Sequence, residues 1–412
     1  MTRLPLIPLV ALLVYGGLYG LWLTGHTPAY FTILKGWGIE PFRFPFLDLD
    51  AVLAARQCAA RGVDVFVVNP CDILGRVHIY SPLWLVGATG TEPALSSVGI
   101  TTDLAFLLAL ALLPAPQHWT EILATLVATL STMVVYALER ANNDLVIFVI
   151  LVASARVLAG KPGWSRLAYA GYLLGALLKF YPLVLVAATL RERRPVALAV
   201  LLLFAAVIGT FVAIYRTQLT VLFTHFPHGS PFADLFGASN IGTGLGRLLG
   251  AGPMVSVSAT IAMGLYCLRI SVRSYRSPLA RAACDLDAAR RHLLVAGLLI
   301  VIGCFFAGQS VGYRGIDFLM ILPGLLGLGE NTDDDAARRL ALRTIALILA
   351  LMWEEPVRLA VTEISRSTES HGGYFISAGF WILREVAWWT LIGIFAGILA
   401  RLLRPACMAA AR

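Results

Sequence analysis

The chain has 412 residues, of which 58% are hydrophobic and 14% charged, against about 45–50% and about 25% in a soluble globular protein. This balance excludes a soluble protein and defines an all-α polytopic membrane protein. The net charge of +8 does not point to nucleic acid, because the excess is mostly arginine in short loops between apolar runs, where it sets topology.

Apolar runs of roughly 14–22 residues follow one another along the chain. They are Leu4–Leu23, Ser96–Leu113, Ile122–Leu138, Leu145–Leu158, Val196–Tyr215, Met254–Leu268, Leu293–Phe306, Ile316–Leu328, Leu340–Met352 and Tyr374–Leu402. The pattern predicts a single integral membrane domain over 1–412 with about ten crossings. Its parts are a first extracytoplasmic loop (25–95), a membrane core (96–215), a second outer loop (216–253) and C-terminal membrane helices (254–412). The first run carries Pro5 and Pro8 and no small-x-small site, so it does not read as a cleaved signal.

Basic loops fix the orientation. Lys161 and Arg166, then Arg191, Arg193 and Arg194, then the arginines from Arg269 to Arg291, then Arg338, Arg339 and Arg343, and finally Arg401 and Arg404 are placed in the cytoplasm. The segments 26–95, 139–144, 216–253, 308–315 and 354–373 then face outward, and both termini face inward.

In the first outer loop, Phe44-Pro45-Phe46-Leu47-Asp48-Leu49-Asp50 leads into a helix over Ala51–Arg61, with Val52, Ala55 and Ala59 on one side and Arg56 on another. Gly62 ends it. Val63–Val68 looks extended, Asn69-Pro70-Cys71-Asp72 makes a turn, and Tyr80-Ser81-Pro82 heads back to the membrane. Asp48 and Asp50 suit a helix start, where a carboxylate meets free amides. Either is also placed to be a general base at the membrane surface. Cys58 and Cys71 share this oxidising side and are candidates for a disulfide; the other cysteines fall in the membrane or cytoplasm.

Glu139-Arg140-Ala141-Asn142-Asn143-Asp144 forms a very short outer connection, either an ordinary tight turn or part of a substrate site. Farther on, Lys179 stands in an apolar stretch and is followed at once by Phe180, Tyr181 and Pro182. A cation at membrane depth costs about 2.5–3.5 kcal/mol on insertion scales, and a proline after it breaks the helix. Two basic clusters flank Leu167–Leu190, and both belong inside. A hairpin of two short helices turning at Phe180-Tyr181-Pro182 satisfies both clusters; a single kinked helix with a snorkelling lysine is the alternative. The glycine-rich stretch with Asn240, Gly242, Gly244 and Gly246 reads as a mobile outer loop, and His225 and His228 beside Pro227 as exposed. Arg314, in Gly308–Arg314, either snorkels or clamps an anion beside Lys179. No Cys/His grouping has zinc-ligand spacing, and no metal or other cofactor is expected.

An aspartate after the first helix, Tyr80-Ser81-Pro82, Glu139-Arg140-Ala141-Asn142-Asn143-Asp144 and Leu178-Lys179-Phe180-Tyr181-Pro182 follow in this order over roughly Phe44–Arg194. In that order and topology the chain resembles the GT-C superfamily of integral membrane glycosyltransferases, and within it glycosyltransferase family 87. The C-terminal half matches only in hydrophobic pattern and in Tyr313-Arg314 before a helix. Two departures stand out: Ala141-Asn142 replaces the Gly-Asn usual in relatives, and Asp50 is a second candidate beside Asp48.

The resemblance implies a bacterial plasma-membrane hexosyl- or pentosyltransferase. Its donor would be a polyprenyl-phosphate sugar, and its acceptor a hydroxyl of a lipid-linked or cell-envelope glycan at the outer face. Asp48, fourteen residues before Gly62, matches the family's base, and Lys179 and Tyr181 match the segment facing the donor phosphate. Arg314 is a further phosphate ligand on the residue reading, and Tyr80, Glu139, Arg140, Asn142, Asn143 and Asp144 are substrate-site candidates. A lone base suffices, since a phosphodiester-type leaving group needs little acid assistance, and attack opposite the phosphate inverts the anomeric centre. The competing classes are a transporter or flippase of an anionic or lipid-linked substrate, with the broken helix as its site, and a scaffold without chemistry. The chain shows no second Lys-Phe-Tyr-Pro segment of the kind a symmetric transporter would repeat.

Overall fold

The computed structural model describes residues 6–91, 93–160, 165–225, 229–250, 252–367, 371–404 and 407. Lys161, Pro227, His228 and the side chain of Arg166 lie outside the described residues. The protein is almost wholly helical; among the described residues one small antiparallel sheet pairs Leu235–Phe236 with Ser310–Val311.

Among the described residues six helices are long and apolar enough to cross a membrane: Leu6–Leu23, Leu95–Leu112, Arg194–Ile214, Pro253–Tyr275, Ala288–Ala307 and Tyr374–Leu402. Trp119–Thr129 and Thr132–Arg140, bent by 48°, make a seventh if taken as one span. The expectation of about ten crossings is corrected accordingly. Asn143–Ala159 has 17 residues and Phe318–Asn331 only 14, roughly 26 and 21 Å of helix against a core of about 30 Å. Phe318–Asn331 is apolar because protein surrounds it: every residue from Phe318 to Gly329 is buried. Asp335–Met352 opens with Asp335, Arg338, Arg339 and Arg343, too many charges for a span.

The chain divides into two compact units, one of residues 1–40, 113–136 and 229–412, the other of 41–112 and 137–228. The segment 25–95, expected as the first outer loop, is therefore shared between them, and its start folds as a helix, Thr27–Gly36.

In the second unit the loop helix runs Leu47–Ala59. Ala55 and Cys58 bury themselves with Val65, Phe66 and Leu222. Arg56, on the other side, donates to the carbonyls of Trp84, Val86 and Gly87 at 2.8–3.0 Å and so fixes the returning chain. Val63–Val68 is not extended. The amides of Val67 and Val68 turn back to the Asp64 carbonyl, and Phe66 N–H donates to the Asp64 side chain, so the local acceptor overrides the β-branched run. Cys58 and Cys71 are joined as a disulfide.

Lys179 ends the helix Ser165–Lys179, and a 3-10 helix covers Tyr181–Arg191. Between them Phe180 takes φ 46°, and Pro182 cannot continue the helical hydrogen bonding. The chain turns back. Tyr169 Oη donates to Glu192 Oε1 at 3.0 Å across 23 residues, which one straight helix would hold about 34 Å apart. A cation at the last position of a helix meets the negative end of the dipole. Trp84 Nε1 donates to the Leu178 carbonyl at 3.0 Å, satisfying an acceptor that the break exposes.

In the first unit the supposed mobile glycine loop is a helix, Ser239–Leu248. Its glycines are packing surfaces: a Cβ on Gly242 would strike Thr260 and the Ser256 carbonyl, and one on Gly244 would strike the Trp381 ring. The segment after Glu354, expected to face outward, is likewise helical, Glu354–Ser367. Cys284 and Cys407 form a second disulfide that the sequence reading does not anticipate.

Candidate functional site

The second unit brings most of the candidates together. Asp48 lies in the first turn of the loop helix, where free amides favour a negative side chain. Its carboxylate looks elsewhere: Asn142 Nδ2 donates to Asp48 Oδ2 at 2.6 Å. Asn142 caps Asn143–Ala159, its Oδ1 accepting from the Asp144 amide at 3.0 Å. The same oxygen accepts from Lys179 Nζ at 2.9 Å. With Oδ1 committed to two donors, the amide presents only its NH₂ to Asp48.

Lys179 is not the bare cation its sequence setting suggests. Nζ lies 2.8 Å from Asp144 Oδ1, and Tyr181 Oη donates to that same oxygen at 2.8 Å. The Tyr80 ring lies 5.5 Å from Nζ, a cation–π distance. Asp48, Asn142, Lys179, Asp144 and Tyr181 thus form one continuous network. Asn142 and Asp144 are fully buried and Lys179 is 9% exposed. Lys179 and Tyr181, expected to face the donor phosphate, both meet Asp144 here, and Lys179 also meets Asn142.

Glu139 and Arg140 act through the backbone and each other. Phe46 N–H donates to the Glu139 carbonyl at 2.6 Å, fixing the entry to the loop helix two residues before Asp48. The two side chains pair at 3.0 Å. Asn143 is buried beside the cap without joining the network. Asp50 stands apart on the loop helix; burial and then the neighbouring Asp72 charge push its carboxyl above the usual range, against the pull of Arg76. Arg314 belongs to the other unit, where its Nη1 donates to Ser310 Oγ at 2.6 Å.

Two residues of the site escape the sequence reading. Asp72 accepts from Arg76 Nε at 3.0 Å, from Nη2 at 2.7 Å and from the Arg76 amide at 2.8 Å. Burial opposes the Asp72 charge, but these bonds outweigh it and hold the carboxyl below its ordinary range. Arg76 Nη1 then lies 4.0 Å from Asp48 Oδ1. The available signal is the Asp-x-x-x-Arg spacing after a proline turn, which brings two opposite charges together in a loop. His78, two residues on, is held at about 4 by burial, the Ser81 carbonyl opposing.

Backbone strain concentrates here. Among the described residues, the non-glycine residues with positive φ are Phe46 (72°), Ala141 (41°) and Phe180 (46°). Phe46 lies two residues before Asp48, and Ala141 and Phe180 adjoin Asn142 and Lys179. Such conformations cost about 1–3 kcal/mol each and persist only where surroundings impose them. Ala141 stands where a glycine would be free of that cost. Phe46 is held by its ring as well: a Cβ on Gly99 would lie 2.5 Å from it.

The fold and site define an all-α polytopic membrane protein with a braced carboxylate beside a helix break. Comparison of the chain with protein-family models, with curated proteins and with solved structures found no match.

Proposed function

We propose that the protein is a membrane glycosyltransferase that moves a sugar from a polyprenyl-phosphate donor to a hydroxyl of a glycan or glycolipid acceptor, with Asp48 as general base. The observation that carries this reading is the state of Asp48. Asn142 holds one carboxylate oxygen, while Oδ1 accepts no hydrogen bond among the described residues and the side chain is 17% exposed. A buried network and three strained turns for one reachable oxygen suit a base more than a structural charge.

The acceptor O–H would pass its proton to Asp48 Oδ1 as its oxygen bonds to the anomeric carbon. The bond from that carbon to the phosphate oxygen breaks, and the lipid phosphate leaves with the electron pair. Asp48 then returns the proton to solvent. Lys179 and Tyr181 contribute by holding Asn142 and Asp144 in place. The donor class rests on the order of motifs in the sequence. The buried Lys179–Asp144 pair beside a broken helix is also what a transporter site requires, and this is the second reading.

Purified protein in nanodiscs, incubated with a panel of polyprenyl-phosphate sugars, is expected to release polyprenyl phosphate. Asp48→Asn should lower that turnover by about 10²–10⁴-fold while the protein still inserts and binds donor lipid. Full turnover in Asp48→Asn would move the base elsewhere. Movement of intact lipid-linked sugar across proteoliposomes, with no release, would favour the transporter.

A further inference from the structure

Arg76 is placed for more than its pairing with Asp72. Its Nε and Nη2 are committed to Asp72, and Nη2 also donates to the Leu47 carbonyl at 3.1 Å. Nη1 donates to no protein acceptor among the described residues and points toward Asp48 Oδ1, the one oxygen of that carboxylate without a donor. The 4.0 Å between them is too long for a hydrogen bond, but a single oxygen fits about 2.8 Å from each. The two side chains are 33% and 17% exposed, so the gap is reachable, while the Asp72 side chain beneath is fully buried.

We propose that Arg76 Nη1 and Asp48 Oδ1 form a two-point clamp for one hydroxyl of a saccharide acceptor. The hydroxyl donates to Asp48 and accepts from Arg76, which orients its lone pairs before proton transfer. This rests on the glycosyltransferase reading of Asp48. The local charge selects the ligand class. Asp48 and Asp72 both act on Arg76, and Asp50 is acted on by Asp72 and Arg76, so carboxylates outnumber the guanidinium here, which disfavours an anion in the gap and leaves a neutral hydroxyl as its partner. The clamp is braced from both ends. Cys58 lies on the helix that carries Asp48, Cys71 immediately precedes Asp72, and their disulfide ties the two. Arg76 thus binds the acceptor directly, and its loss should appear in acceptor affinity.

The test uses full-length protein in nanodiscs with methyl glycosides of glucose, mannose, galactose and arabinose as probes, read by saturation-transfer NMR. Wild type is expected to transfer saturation to the ring protons of at least one glycoside. Arg76→Gln should weaken that binding about tenfold or more, the effect of losing a charged hydrogen bond. Arg76→Lys should keep an intermediate affinity, and Arg61→Gln, at an exposed site, should match wild type. Thiol alkylation checks that the Cys58–Cys71 bond survives in each variant. Once a transferred sugar is found, Arg76→Gln should raise acceptor KM and leave donor KM unchanged. Equal glycoside binding by wild type and Arg76→Gln, or no glycoside binding by wild type, overturns the clamp. Arg76-dependent binding without sugar transfer to any probe overturns the transferase reading instead.

Discussion

Breaking the Lys179–Asp144 pair from one side should cost much more than removing it whole. Nζ and Oδ1 are 2.8 Å apart, with side-chain exposures of 8% and 0%, so solvent cannot rescue a charge left alone. Asp144→Asn leaves Lys179 with the Asn142 oxygen and the Tyr80 ring. Lys179→Met leaves Asp144 with the Tyr181 hydroxyl. An orphaned buried charge costs about 3–5 kcal/mol, so independent effects would sum to roughly 6–10 kcal/mol. In the double variant Lys179→Met/Asp144→Leu no charge remains; Asn142 and Tyr181 each lose one partner, about 1 kcal/mol apiece. The double variant is therefore expected to lose only about 2 kcal/mol, less than either single variant. The assay is the thermal unfolding midpoint in nanodiscs, followed by tryptophan fluorescence across the four proteins of the cycle. Additive midpoint shifts would refute the pairing, and with it the account of how Asn142 is aimed at Asp48.

Four further outcomes follow from the same geometry. Gly99→Ala places a methyl 2.5 Å from the Phe46 ring; it should destabilise by about 1–3 kcal/mol and depress turnover, and an unchanged midpoint would show that Phe46 has room to move. Cysteines introduced at Leu167 and Arg191 should label from the same side of the membrane, since Tyr169 and Glu192 meet; opposite sides would undo the hairpin. Replacing Cys58 and Cys71 together by serine should lower stability by about 3 kcal/mol, the chain-entropy value for a loop of this length; unaltered denaturant unfolding would contradict it. His78 is neutral when folded, its pKa held at about 4 against about 6.5 unfolded. Its stabilising term is therefore complete above pH 6.5 and is lost as pH falls toward 4, roughly 3 kcal/mol in all, and His78→Phe should flatten the midpoint's pH slope over that range.

Composition and loop arginines make the membrane class legible, and Lys179 followed by Pro182 between two basic clusters makes the turning back legible. What the sequence hides is pairing at a distance. Asp48 meets Asn142 across 94 residues, and Lys179 finds Asp144 on another helix, so a lysine that reads as a bare anion clamp is one half of an ion pair. Apolar runs overcount crossings because a helix packed inside protein, such as Phe318–Asn331, is as apolar as one in lipid. The glycines of Ser239–Leu248 mislead for a related reason: glycine signals a loop from sequence, yet here its missing side chain makes room for Trp381. Val63–Val68 misleads because one aspartate offers the backbone a closer acceptor than a neighbouring strand would.

The three positive-φ residues bear on whether this network is a site or ordinary buried polarity. A buried polar group needs satisfied hydrogen bonds, and a relaxed backbone supplies them without strain. Here three separate turns hold L-residues in a disfavoured conformation, at roughly 1–3 kcal/mol each. Each turn sets the direction of one side chain: Phe46 aims the first turn of the Asp48 helix, Ala141 brings Asn142 to its cap, and Phe180 ends the helix at Lys179. Relaxing any one would shift the alignment of Asp48, Asn142 and Lys179. Strain that maintains this alignment supports the proposed role of Asp48 as a general base. The Asp48 oxygen left without a donor, facing Nη1 of Arg76, is where that chemistry would occur.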